Sequence, residues 1–195
     1  MTDRPPSAPR WRLFIAAPVP APAAEQLWEA LAPLRDRHPM ARWAKREQLH
    51  ATLVFLGQTD ADDVARLGEV LALAATQNAE FQTSTGEAGG RADDRRGGVA
   101  WLRLDDHQRR IRNLAREIDW RIGSGIFAEA RPRPHVTVAR RIDEELLADL
   151  RSSAPQLATA FTVDRVVLYR SHAEPGGSRY EALAEEPLTA PPPSA

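Results

Sequence analysis

The chain has 195 residues, an apolar fraction of 43%, a formal net charge of −1 and no cysteine. That size and composition suit one domain with a real core, and the charge argues against a protein that coats nucleic acid by bulk electrostatics. The missing cysteines exclude disulfides, thiol catalysis and Cys-ligated metal sites, and no apolar run approaches the ~20 residues that span a membrane.

Met1 to Arg10 is polar and proline-rich, without the apolar centre of a signal peptide. A soluble cytoplasmic protein is the economical reading. Trp11 to Ala17 suits a buried strand. Pro18, Pro20 and Pro22 then punctuate the chain before a helical pattern at Leu27, Trp28, Leu31 and Leu34, which Pro33 should kink or shorten. Arg42 to Ala44 suits a short strand. A longer strand is expected from about Gln48 to Leu56, closed by Gly57.

Asp60 suits the N-cap of a second helix, whose buried stripe is Val64, Leu67, Leu71 and Ala74. Phe81 to Thr85 reads as strand, and the glycine-rich, charged segment Glu87 to Gly98 as an exposed flexible loop. Val99 to Leu104 is another strand. A third helix carries Ile111, Leu114, Ile118 and Ile122, stopped at Gly123; its arginines at 109, 110, 112 and 116 read as a solvated face. Arg131-Pro132-Arg133-Pro134 leads into a strand beginning at His135. A fourth helix with Leu146, Leu147 and Leu150 follows. Two strands, Phe161 to Arg170 and Arg179 to Ala184, end the pattern, and the tail from Pro187 on reads as disordered.

Two strings stand out: Leu49-His50-Ala51-Thr52-Leu53 and Pro134-His135-Val136-Thr137-Val138. Side chains two apart on a strand share a face. His50 and Thr52 therefore point one way and Ala51, Leu53 and Phe55 the other; His135 and Thr137 stand opposite Val136 and Val138. The order strand, helix, His strand, helix occurs twice, so two similar lobes are expected to face each other across a cleft, each giving it one His-x-Thr. Two imidazoles flanking a substrate can serve as general base and general acid without a metal. Threonine hydroxyls beside them suit the oxygens of a phosphate. A metal site is the weaker reading, since neither histidine has a carboxylate at ligand spacing. A Ser-His-Asp hydrolase is weaker still, for want of a Gly-x-Ser-x-Gly elbow. His38, His107 and His172 read as ordinary surface residues. The basic side chains are arginine except Lys45, which supplies many phosphate-matching forks.

With RLFIAAPVP, LHATLVFLG, VAWLRL, RPRPHVTVAR and LYRSHAEPGGSRYEAL, residues 11–185 resemble the 2H phosphoesterases, and among them the RNA 2′,3′-cyclic phosphodiesterases, or 2′-5′ RNA ligases. The resemblance implies a single bilobal α+β domain over 11–185, two antiparallel sheets facing across a central cleft with helices outside; the tails at 1–10 and 187–195, which read as disordered from their composition, depart from the family. It implies His50 as proton donor, His135 as proton acceptor, and Thr52, Thr137 and Arg140 at the phosphate. Strict alternation turns Arg140 away from His135, so its role requires the strand to end or bulge there. Phe55, at the equivalent position after His50, would pack beside the nucleotide or in the core. The implied reaction opens a terminal 2′,3′-cyclic phosphate on RNA to a 2′-phosphate, with reversal as 2′-5′ ligation. The implied partners are RNA ends carrying that group, tRNA fragments among them, with a monomer needing no cofactor, metal or membrane. A phosphodiesterase for cyclic nucleotides or 2′-5′ oligonucleotides, and a non-catalytic module that binds RNA ends, are the alternatives.

Overall fold

A computed structural model describes residues 9–92, 97–125 and 133–189. The first apolar run forms β1 (Arg10–Pro18), buried from Leu13 to Ala17. The following helical pattern breaks at Leu31 into α1 (Ala21–Ala30) and α2 (Ala32–Arg37). Pro33 sits in the first turn of α2, where a proline lacks nothing the helix needs, so the interruption falls where the sequence places it. The short strand β2 (Arg42–Trp43) follows.

The first His-x-Thr strand, β3 (His50–Asp60), runs past Gly57 instead of ending there. Gly57 has φ +67° and lies at an irregularity in the β1–β3 register; the glycine bends the ladder and does not close it. Asp60 caps a single 3₁₀ turn through its backbone geometry, without a side-chain bond, and α3 (Val64–Thr76) continues from it.

The segment read as a flexible loop is strand as far as Arg91. β4 (Phe81–Arg91) carries Gly86, Gly89 and Gly90 inside its pairing with β5 (Val99–Leu104). Gly89 and Gly90 are packing residues: a Cβ at Gly89 would come within 2.5 Å of Trp101 Nε1, and one at Gly90 within 2.6 Å of Leu147. Residues 93–96 of that expected loop, and Arg131 and Pro132, lie outside the described residues.

In α4 (Arg110–Ile122), Ile111, Leu114 and Ile118 are buried, and Gly123 at φ +75° ends the helix. Its arginine face is partly engaged: Arg112 pairs with Asp106, which also accepts from the Ile111 backbone, and Arg110 donates to the Ala79 carbonyl. The second His-x-Thr strand is β6 (His135–Arg140). α5 (Glu144–Ser153) is capped by the Asp143 carboxylate, which accepts from Leu146 N at 2.8 Å.

The strand expected from Phe161 to Arg170 is two. β7 (Ala160–Val163) pairs with β4, whereas β8 (Arg165–Glu174) pairs with β1 and with β9 (Gly177–Pro187). The chain changes sheets at Asp164, a device alternation alone does not reveal. The ordered part exceeds the expected bounds: Arg10 opens β1, Leu188 is buried, and Thr189 bonds back to Ala75. The rest of the expected tails, 1–8 and 190–195, lies outside the described residues.

The strand order β7-β4-β5-β6-β3-β1-β8-β9 contains the two expected antiparallel sheets. They meet at β6 and β3 through one Cα pair, Ala51 with Val136, and β2 pairs with β6 on the side. The helix stripes pack with the buried strand faces into one core. The other faces of both sheets line a single cleft. No described helix is long and apolar enough to cross a membrane.

Candidate active site

The seam between the sheets positions the histidines. Antiparallel pairing of Ala51 with Val136 sets His50 abreast of Thr137 and Thr52 abreast of His135, all four on the face opposite the paired alanine and valine. His50, Thr52, His135 and Thr137 all border one cleft of about 1080 Å³. Two motifs distant in sequence thus become one quartet.

Both imidazoles are held the same way. His50 Nδ1 donates to the Gln48 carbonyl at 2.6 Å, and His135 Nδ1 donates to the Arg133 carbonyl at 2.9 Å. A carbonyl only accepts, so each Nδ1 carries hydrogen and each neutral ring leaves Nε2 as the basic nitrogen. Thr52 Oγ1 lies 3.1 Å from His50 Nε2 and donates to it while the ring is neutral.

Aromatic rings fix the imidazoles further. Tyr180 meets His50 edge-on at 5.4 Å, Phe14 lies 5.1 Å from it, and Phe14 stacks on Tyr169 at 5.2 Å. Trp101 lies 5.4 Å from His135 in the space that Gly89 leaves. Burial lowers the His50 pKa to about 4; the Gln48 carbonyl opposes this, and the positive charges of His135 and Arg140 add to it. His50 is therefore neutral at pH 7 in the free protein.

Arg140 borders the same cleft, and the reason is a bulge. Trp101 pairs with Thr137 and Ala100 with Ala139, leaving Val138 as an extra residue that reverses the alternation. β3 repeats the device: Ala16 pairs with Thr52 and Ile15 with Val54, leaving Leu53 extra. Val54 consequently turns into the core at 1% exposure, and Phe55 turns out at 59%. Strict alternation expects Phe55 on the core face with Ala51 and Leu53; the bulge overturns that and places it at the cleft.

The cleft also gathers residues that no motif marked. Arg12, Arg42 and Lys45 join Arg140 along it, and among the described residues none of these four has a carboxylate partner. Its bordering carboxylate, Glu174, is already paired with Arg179 at 2.9 Å. A chain of net charge −1 thus carries an unneutralised positive cleft. Of the remaining histidines only His107 is an open surface residue. His38 is largely buried and bonded to Asp149 at 2.9 Å, and His172 bonds Glu181 at 2.6 Å.

A curled antiparallel sheet whose concave face presents paired His-x-Thr strands defines the two-histidine phosphoesterases. The family model of the 2′-5′ RNA ligase superfamily matches residues 18–175, and the chain belongs to that superfamily. It is similar to an RNA 2′,3′-cyclic phosphodiesterase of Geobacillus stearothermophilus, with 27% identity over 92% of this chain; it spans 58% of that relative's length. A Thermotoga maritima protein of the same name is 28% identical, over 89% of this chain and 94% of its own. A solved structure of Escherichia coli LigT complexed with 3′-AMP is 26% identical at a TM-score of 0.66, covering 93% of this chain and 99% of that one.

Proposed function

We propose that this protein is an RNA 2′,3′-cyclic phosphodiesterase that converts a terminal cyclic phosphate to a 2′-phosphomonoester without a metal ion. The observation that carries this reading is the quartet: two imidazoles of like tautomer, each abreast of a threonine, in a cleft whose cations lack partners. The names of the two curated relatives and the LigT complex with 3′-AMP support the substrate class.

In the proposed reaction, His135 Nε2 takes a proton from water as its oxygen attacks phosphorus. The bond from phosphorus to the 3′ oxygen breaks, and His50 gives that oxygen a proton. Thr52, Thr137 and Arg140 hold the non-bridging oxygens as their charge rises, and Phe55 packs beside the terminal nucleoside. His50 is neutral in the free protein, so it takes up a proton from solvent as the substrate binds: the phosphate anion beside the ring offsets the cost of charging it. With a 5′-hydroxyl in the place of water, the same displacement forms a 2′-5′ linkage: the 5′ oxygen bonds to phosphorus, the bond to the 3′ oxygen breaks, and that oxygen takes the proton from His50. The working unit is a cytoplasmic monomer acting on RNA ends, tRNA fragments among them.

The direct test is incubation with RNA ended by a 2′,3′-cyclic phosphate, followed by phosphorus NMR. A 2′-monoester resonance is expected. A 3′-monoester, or an unchanged cyclic phosphate bound in the cleft, would defeat the proposal.

A further inference from the structure

The cleft does not stop at Phe55. A second recess of about 370 Å³ opens from it, and Arg12, Gln58, Ser171 and Ser178 border both. The register of β1 against β3 orders the features along one line. Thr52 is level with Ala16, Phe55 with Phe14, and Gln58 with Arg12. At ~3.3 Å per residue, Arg12 stands roughly 13 Å along the strand from the threonine of the quartet. One nucleotide and the reach of an arginine side chain cover that distance.

The recess has the chemistry of a single-stranded RNA subsite. Arg12 is exposed and has no carboxylate partner among the described residues. Beyond it Arg170 sits over the Trp11 ring, 4.0 Å from its centroid, so a planar cation backed by an indole borders the recess. Guanidinium planes and aromatic faces are the surfaces on which unpaired bases stack, with little regard to sequence. Ser171, Ser178 and Gln58 add hydroxyl and amide groups for ribose.

We infer that this recess binds the penultimate nucleotide of the RNA, with Arg12 on the phosphate joining it to the terminal nucleoside and the Arg170–Trp11 stack under its base. The inference rests on the proposed reading of the cleft as a site for RNA 3′ ends, and narrows the substrate to chains of two nucleotides or more. The strand then leaves the cleft toward the start of β1.

The test compares cytidine 2′,3′-cyclic phosphate with the dinucleotide carrying cytidine 2′,3′-cyclic phosphate at its 3′ end. In the wild type, kcat/KM for the dinucleotide should be higher by about tenfold or more, the scale of one stacked base with a charge-assisted hydrogen bond to phosphate. Arg12→Gln and Arg170→Gln should bring the ratio toward one, while Lys45→Gln keeps it at the wild-type value. A wild-type ratio near one, or a ratio that collapses with Lys45→Gln and not with Arg12→Gln, overturns the subsite and leaves the reaction standing. If neither compound is hydrolysed, the proposed reaction fails. Fluorescence titration with 3′-phosphorylated mono- and dinucleotide then decides the subsite: a gap in affinity that Arg12→Gln removes sustains it, and equal affinities overturn it.

Discussion

Phe55 and Arg140 occupy equivalent places in the two halves of the site, each five residues past its histidine. Each reaches the cleft face only because one extra residue, Leu53 or Val138, shifts the strand alternation. The pseudo-symmetry of the quartet therefore extends to a ring on one side and a guanidinium on the other. Arg140→Gln should lower kcat/KM by about 10- to 100-fold, the order expected when a phosphate in a cleft gives up one charge-assisted hydrogen bond. It should also raise the His50 pKa, because the Arg140 charge depresses it. Steady-state kinetics and an NMR titration of the imidazole read the two effects separately.

His50→Ala and His135→Ala should each cost on the order of 10²–10⁴ in kcat. The double variant should cost far less than the product of the two, since in the proposed reaction the rings act on one transition state. Phosphorus NMR rates on cyclic-phosphate-ended RNA measure this. In pH–rate profiles, each single variant should lose a different limb of the bell.

Proton linkage at His50 has a definite sign. Its folded pKa of about 4 lies below the ~6.5 of an unfolded histidine, so between those values the unfolded chain binds the extra proton. The contribution is fully present above about pH 6.5 and is lost as pH falls toward 4. His50→Gln should flatten that part of the Tm–pH curve. Adding phosphate at pH 6 should drive proton uptake, measured as a dependence of binding enthalpy on the buffer's ionisation heat; uptake that persists in His50→Gln would place the proton elsewhere.

Gly89→Ala should push Trp101 off its place beside His135, because the new Cβ would come within 2.5 Å of the indole nitrogen and 2.9 Å of its ring. Overpacking of this kind costs about 1–3 kcal/mol, and thermal unfolding measures it. A drop in kcat beyond what reduced folding explains, together with a shifted His135 imidazole resonance, would tie Trp101 to the position of that ring.

Activity should survive excess EDTA, since each imidazole is held by a backbone carbonyl and the proposed proton transfers need no Lewis acid. Inactivation by EDTA, restored by one added divalent ion, would replace that mechanism.

The His-x-Thr pairs were legible because alternation places His and Thr together whatever the sheet does around them. Phe55 and the glycines of β4 were not. Strand alternation puts Phe55 with Ala51 and Leu53, and only the pairing partner of Leu53 reveals the bulge. Gly86, Gly89 and Gly90 resemble loop composition, yet the missing Cβ at Gly89 and Gly90 makes room for Trp101 and Leu147, which arrive from β5 and α5. Arg12, Arg42 and Lys45 carry no local signal; their shared trait, the missing carboxylate, appears only once the other side chains are in place.

The half that holds His50 is stitched from two distant segments: β1 and β3 come early, but β8 and β9 span residues 165–187. The half that holds His135 comes from a nearly continuous stretch, β4 to β7. On the ribosome the second half has all its strands first, while β1 waits for β8, made after every one of them, a long-range closure of the slow kind. The half that holds His50 is thus left incomplete until residues 165–187 have been made.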